Sequence, residues 1–85
     1  MGWKVIVNDT ANKQLKRIPR WDVERLIAAI NEFASNPFAG DIEKMEGEKT
    51  VWRRRMGAYR IIYEIRKEKR IVYVSDVRRR TSKTY

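Results

Sequence analysis

The sequence predicts an α+β domain: an N-terminal strand, a helical hairpin, and a three-strand antiparallel meander, together forming one twisted sheet with helices on one face. Three observations predict it. Trp3–Val7 is apolar and β-branched, residues 8–34 carry apolar side chains at helical spacing, and residues 51–77 alternate between apolar and polar side chains. Strands that follow helices are typical of an antiparallel sheet covered on one side.

The helical hairpin begins at "ND", where Asn8 and Asp9 can cap the first helix. Its apolar positions are Ala11, Leu15 and Ile18. Pro19 closes this helix, because the residue before proline avoids the helical region. Asp22 is the candidate cap of the second helix. The second helix carries an apolar stripe, expected to be core, at Val23, Leu26, Ile27, Ile30, Phe33 and Ala34.

The segment 41–50 is polar and acidic, and we expect it to be a turn-like link to the sheet. Three strands are predicted after it, at Val51–Met56, Tyr59–Arg66 and Arg70–Val77. Gly57 provides the first turn between them, and the polar run "KEK" provides the second.

The 85 residues form one domain, 1–85, without repeats, linkers or low-complexity segments. Charged residues make up 36% of the chain, above the average of about 25%. Residues 1–48 hold seven basic and eight acidic residues, whereas residues 49–85 hold thirteen and three. A basic excess confined to one half favours a polyanionic partner, RNA or DNA first; the alternative is a solvated surface.

Several site classes are excluded by composition. The chain has no cysteine and no histidine, so it lacks thiolates and the commonest acid/base group near neutral pH. We expect neither a metal nor a cofactor. No apolar run approaches the roughly 18 residues that span a membrane, so we expect a cytoplasmic protein with no membrane partner.

The alternation of side chains along the strands predicts which face of the sheet each arginine occupies. Trp52 and Met56 join the tyrosines of the next strand beneath the helices, which leaves Arg53, Arg55 and Arg60 together on the open face. Arg54 falls on the buried side, and we expect its head to reach water at an edge. Such a cluster suits a bound phosphate, for which guanidinium is the best side chain. The alternative is that Arg60 pairs with Glu64 or Glu68 while the others are solvated.

The stretches "WRRRMGAYRIIYEI" and "RIVYVSDVRRR", the final Tyr85 and the preceding helical hairpin resemble the RelE/ParE toxin superfamily of toxin–antitoxin systems. The resemblance covers nearly the whole chain. It implies a ribosome-dependent endoribonuclease (mRNA interferase) that cuts mRNA in the ribosomal A site. It also implies a cognate antitoxin, which we expect to be acidic and partly disordered, and a complex that binds operator DNA.

The resemblance also assigns roles. Arg60 corresponds to the residue that binds phosphate and stabilises charge, and Tyr85 to the tyrosine that stacks on the mRNA base. One arginine of 78–80 completes the catalytic set; we favour Arg80, then Arg79. The expected catalytic residues are therefore Arg60, Arg80 and Tyr85. The expected RNA-binding residues are Arg53, Arg55, Arg78, Arg79 and Lys83.

Cleavage by 2′-OH attack also needs proton transfers, for which the chain is poorly equipped. Glu64 and Asp76 are the candidate bases, and tyrosine and arginine titrate too high without a strong shift. We therefore expect little cleavage of naked RNA, with the ribosome supplying the geometry. Two other functions stay open: a ParE-like toxin that poisons gyrase, and a non-catalytic basic RNA- or DNA-binding domain.

Overall fold

Two helices lie on one face of a five-stranded sheet in the computed structural model, which describes residues 2–47 and 49–79. In chain order the elements are β1 (Lys4–Val7), α1 (Asp9–Lys16), α2 (Arg20–Glu32), β2 (Ile42–Lys44), β3 (Val51–Met56), β4 (Tyr59–Arg66) and β5 (Ile71–Arg79). The predicted α+β class is confirmed, and so are both bounds of β3 and β4.

The strands are ordered β1-β5-β4-β3-β2, and two details differ from the expected sheet. First, β1 pairs with β5 in parallel, so the sheet is mixed. The helices carry the chain from β1 to the far edge, and the meander then brings β5 back beside β1. Second, residues 42–44 form the edge strand β2 rather than a turn. So short a strand shows no alternation, and its pairing with β3 holds it in place.

The helix starts follow from capping. Asn8 caps α1, because its side-chain oxygen accepts a hydrogen bond from the Ala11 amide at 2.8 Å. The predicted cap at Asp22 is wrong: Pro19 is the N-cap of α2, and Asp22 lies in the first turn. The Pro19 carbonyl accepts hydrogen bonds from the amides of Asp22 and Val23, at 3.0 and 2.9 Å. Proline suits this position because its fixed φ favours a helix start.

The core lies between the helices and the inner face of the sheet. From α2 it buries Leu26, Ala29 and Ile30, with Phe33 just beyond. Ile27 stays 44% exposed, so the apolar stripe is wider than the contact it makes. The sheet contributes Tyr59, Ile61, Tyr63, Ile65, Val72, Val74 and Val77.

Tyr63 occupies the centre of this core. Its ring stacks on Phe33 with centroids 4.2 Å apart, and its hydroxyl donates a hydrogen bond to the Pro37 carbonyl at 2.9 Å. The tyrosine therefore ties β4 to α2 and to the loop that follows it. Burial raises the pKa of Tyr63 from its ordinary value of 10.0 to about 12, against the opposing charge of Arg54.

A β-bulge interrupts the pairing of β4 with β5. Ile62 lies opposite Asp76, whereas Tyr63 lies opposite Val74, so Ser75 is the extra residue. Its hydroxyl donates to the Ile62 carbonyl at 3.2 Å. Because the bulge resets the alternation, both Val74 and Val77 face the helices.

Arg54 faces the helices, as predicted, but its head does not reach open water. The side chain is only 10% exposed, and Nη1 lies 2.8 Å from the Glu32 carboxylate. The N–H direction does not meet hydrogen-bond geometry there, and Nε is buried without a partner among the described residues. The guanidinium also lies 6.0 Å from the Phe33 ring centroid and directly against Gly40.

We predict that Gly40→Ala destabilises the fold more than Gly47→Ala does. Both glycines have positive φ, +89° and +82°, so each alanine carries backbone strain of about 1–2 kcal/mol. A Cβ at position 40 would also lie 2.7 Å from Arg54 Nε, whereas nothing lies within 4 Å of one at position 47. Displacing the buried guanidinium should add about 1–3 kcal/mol, as overpacking does. Urea denaturation measures the free energy of unfolding of the two variants. An equal loss of stability in both would contradict the packing of Arg54 on Gly40.

We predict that Tyr63→Phe lowers the free energy of unfolding by about 1–3 kcal/mol, because the Pro37 carbonyl is left buried and unpaired. Between pH 10.0 and about 12 the unfolded chain releases the Tyr63 proton while the folded chain retains it. Wild-type stability should therefore fall through this range, and Tyr63→Phe should flatten the fall. Denaturation at several alkaline pH values measures the slope. The control Tyr73→Phe keeps the Pro37 bond, and an unchanged slope in Tyr63→Phe would contradict the assignment.

Candidate functional site

Three arginines form a row across adjacent strands on the open face of the sheet. In the strand register Arg55 lies opposite Arg60, and Arg60 lies opposite Arg78. Directly opposed residues project to the same face, with Cβ atoms about 4.5–5.5 Å apart. Arg53, opposite Ile62, lies one pleat away on the same face. We call these four residues the arginine face.

The flanking arginines have carboxylate partners, of which Glu43 and Asp41 are exposed and Asp76 is mostly buried. Arg53 donates to Glu43 at 2.8 Å, Arg55 Nε lies 3.6 Å from the Asp41 carboxylate, and Arg78 Nε donates to Asp76 at 2.5 Å. The hydrogen bond and charge of Arg53 lower the pKa of Glu43, with smaller contributions from Arg55 and Arg60. Exposed ion pairs such as Arg53–Glu43 and Arg55–Asp41 contribute little to stability, so a phosphate can replace these carboxylates.

Arg60 differs from its neighbours. Within residues 2–47 and 49–79 it forms no ion pair, and its Nε is buried without a hydrogen-bond partner. The proposed pairing with Glu64 is wrong, since that carboxylate accepts hydrogen bonds from Thr50 at 2.9 Å and Arg66 at 3.0 Å. Glu68 lies in the turn after β4, at the far end of the strand from Arg60. The central arginine thus presents an unused donor.

Asp76 places a carboxylate beside the row. It lies on β5 opposite Ile62, and its side chain is 15% exposed. One oxygen accepts from Arg78, and the other, Oδ1, is buried with no partner among the described residues. Buried polar atoms are nearly always paired in proteins. Among the described residues, a buried acceptor and a buried donor without partners thus lie on adjacent strands of the same sheet face.

Of the other predicted site residues, Arg79 is described and does not join this face, because it lies opposite Tyr59, on the face that carries the helices. Arg80, Lys83 and Tyr85 lie outside the described residues. Among the residues that are described, no three metal-binding side chains cluster, and no helix is long and apolar enough to cross a membrane.

Sequence reasoning missed Asp41 and Glu43 as partners of the arginine face. Both belong to the segment taken as a turn. The signal that could have found them is charge complementarity, because the acidic stretch of 41–43 precedes the basic run of 53–55 by a distance that allows a hairpin.

The sequence profile of the family described as "ParE toxin of type II toxin-antitoxin system, parDE" matches residues 5–83. A comparison with curated protein sequences gave no significant match.

Solved structures of similar fold were found as well. The archaeal RelE–RelB complex from Pyrococcus horikoshii OT3 superposes with a TM-score of 0.86 at 22% identity, covering 98% of this chain and 100% of that one. The isolated Escherichia coli RelE toxin superposes with a TM-score of 0.82 at 19% identity, covering 95% of this chain and 87% of that one. The RelBE2 toxin–antitoxin complex from Mycobacterium tuberculosis superposes with a TM-score of 0.70 at 27% identity, covering 94% of this chain and 100% of that one.

We predict that Arg53→Gln raises the pKa of Glu43 toward its ordinary value, because the hydrogen bond and the nearest charge that lower it are lost. An NMR titration of the side-chain carboxyl carbons measures the change. Arg66→Gln, on the same sheet face but paired with Glu64, is the control and should leave Glu43 unchanged. Equal effects of the two variants would contradict the Arg53–Glu43 contact.

Proposed function

The chain belongs to the ParE toxin family, within the RelE/ParE superfamily of type II toxin–antitoxin systems, and on that premise we propose that it is a ribosome-dependent endoribonuclease that cleaves mRNA in the ribosomal A site. The observation that carries the proposal is the arginine face, with the unused donor of Arg60 at its centre. Guanidiniums held side by side on one face suit a phosphate, which each can bind through two parallel hydrogen bonds. The structural likeness to RelE toxins supports the fold that presents it.

Arg60 and its neighbours in the row would hold the scissile phosphate. When the 2′-oxygen attacks phosphorus, negative charge builds on the phosphoryl oxygens, and fixed cations stabilise that charge more than they stabilise the ground state. Arg60 is the best positioned of the three, because its backbone lies in the central strand and its Nε has no described competitor. We assign it charge stabilisation, with Arg55 and Arg78 binding the same phosphate from either side.

The reaction forms a bond from the 2′-oxygen to phosphorus and breaks the bond from phosphorus to the 5′-oxygen. The 2′-OH proton must leave and the 5′-oxygen must gain one. Of the two candidate bases, Asp76 adjoins the arginine row, whereas Glu64 is held by Thr50 and Arg66. We therefore propose that the Asp76 carboxylate accepts the proton of the 2′-OH. Protonation of the 5′-oxygen falls to water or the ribosome. Arg80 and Tyr85 complete the proposed site, Arg80 on the phosphate and Tyr85 stacked on a base.

We further propose that the chain is neutralised by an acidic, partly disordered antitoxin that covers the arginine face. The carboxylates of Asp41, Glu43 and Asp76 each pair with one arginine of this face. A partner peptide with acidic side chains would make the same contacts. The relative from Pyrococcus horikoshii was solved as a RelE–RelB complex, and that from Mycobacterium tuberculosis as the toxin–antitoxin complex RelBE2. Binding of the complex to operator DNA is part of the same proposal.

A second candidate function is a ParE-like toxin that poisons DNA gyrase. The observation that favours it is the family profile itself, which is that of ParE. The two functions differ in the use of Arg60: a nuclease needs it at the reacting phosphate, whereas a gyrase poison does not.

We predict that Arg60→Ala abolishes growth arrest on induced expression and lowers mRNA cleavage by about 10²–10³-fold, as loss of one preorganised transition-state contact does. Primer extension on translated mRNA measures the cleavage, and circular dichroism verifies the fold. Arg66→Ala is the matched control, because it removes an arginine from the same strand and the same face but from the end paired with Glu64. It should retain arrest and cleavage.

Cleavage by the isolated protein on naked RNA should be slight. Efficient cleavage without ribosomes would overturn the ribosome-dependent part of the proposal. Growth arrest with gyrase-linked DNA breaks, insensitive to Arg60→Ala, would overturn the nuclease and establish the second function.

A further inference from the structure

A cleft of about 240 Å³ lies at the end of the sheet opposite the arginine row. Its walls include Trp52, at the start of β3, and Ile65, at the end of β4. Arg55 and Arg60 lie at the other ends of those two strands. Trp52 also projects to the helix-covered face, opposite Tyr63 in the register. This cleft, the lysine cleft, is therefore separate from the arginine face.

Three lysines line the cleft: Lys44 from β2, Lys49 from the loop before β3, and Lys67 from the turn after β4. Glu68 is the only carboxylate among its described lining residues. Among the ion pairs of the described residues none involves these lysines. Three cations that line one cleft, with a single carboxylate among the described lining residues, repel one another. An anion between them would relieve that repulsion.

A row of aromatic rings adjoins the cleft. Trp52 contacts Phe38 edge to face with centroids 5.9 Å apart, and Phe38 contacts Trp3 in the same manner at 6.1 Å. The Lys67 amino group lies 5.6 Å from the Phe38 ring, and the Arg70 guanidinium lies 4.6 Å from the Trp3 ring. Phe38 is 38% exposed. Alternating rings and cations are the composition of surfaces that bind single-stranded nucleic acid.

We propose that the lysine cleft binds one nucleotide of single-stranded RNA. The base lies against the apolar wall of Trp52 and Ile65, and the phosphate lies among Lys44, Lys49 and Lys67. Lysine binds phosphate as a point charge without the fixed geometry of arginine, so we expect little sequence preference.

An acidic peptide is the competing occupant. The aromatic wall favours RNA over it, since a base stacks on a ring and a carboxylate does not. The proposal goes beyond the proposed cleavage: binding in the lysine cleft requires neither a ribosome nor a reacting phosphate. Either can fail without the other.

The test uses the full chain carrying Arg60→Ala, so that cleavage plays no part, and fluorescein-labelled hexauridylate as the probe. Fluorescence anisotropy at several salt concentrations gives the affinity and its salt dependence. Replacing Lys44, Lys49 and Lys67 by glutamine should weaken binding at least tenfold and reduce the salt slope by about 0.7, the value for one neutralised phosphate on a single strand. The matched control replaces Lys4, Lys13 and Lys16, three exposed lysines outside the cleft, and should change affinity less than threefold.

Trp52→Leu should weaken binding roughly 5- to 100-fold, since stacking of one base contributes about 1–3 kcal/mol, and should leave the salt slope unchanged. Trp52→Phe retains an aromatic ring and the packing, so it should keep most of the affinity. This variant shows whether weak binding of Trp52→Leu comes from loss of the ring or from loss of folding. Equal affinities for the cleft and control lysine variants would overturn the proposal. So would a cleft variant that loses binding to a poly-glutamate peptide but not to hexauridylate, since the cleft would then be a protein-docking site.

Discussion

The extra residue at Ser75 determines which side chains share the arginine face. If alternation continued unbroken from Val72 and Val74, Asp76 and Arg78 would project beneath the helices and Val77 would face water. The bulge reverses this, so that Val77 enters the core and the two charged residues join Arg60 on the open side. A charged pair under the helices would carry a large desolvation penalty. The same irregularity therefore completes the core and assembles the site.

The two faces of the sheet differ in kind: the inner face is closely packed, whereas the outer face holds like charges side by side. On the inner face, the Tyr63–Phe33 stack and the hydrogen bond to Pro37 fix α2 and its following loop against β4. On the outer face, Arg55, Arg60 and Arg78 are held side by side although like charges in opposed positions are destabilising. The inner packing holds these backbones in register, and the neighbouring carboxylates lessen the repulsion. The proposed phosphate would therefore meet arginines that the fold already holds together.

Strong local sequence patterns made part of the fold and of the candidate site predictable. The alternation of β3 and β4 and the turn at Gly57 gave the bounds of both strands, and alternation alone placed Arg53, Arg55 and Arg60 on one face. Features that depend on distant pairing were not predictable. The parallel β1–β5 contact, the three-residue β2 and the face of Arg78 each depend on a partner strand. The break from Val74 to Val77 was visible in the sequence, and a buried-charge argument could have revealed the bulge.

The parallel pairing of β1 with β5 also constrains how the chain folds. Lys4 meets Ile71 only after nearly the whole chain has been brought together, so this contact carries the largest loop-closure cost and should form late. The β4–β5 hairpin closes through a short turn and can form first. Until β1 arrives, β5 has an unpaired backbone edge in its valine-rich stretch, and any extended segment that reaches it can add there as a strand. Competition for that edge during folding would divert the chain into strand-swapped assemblies.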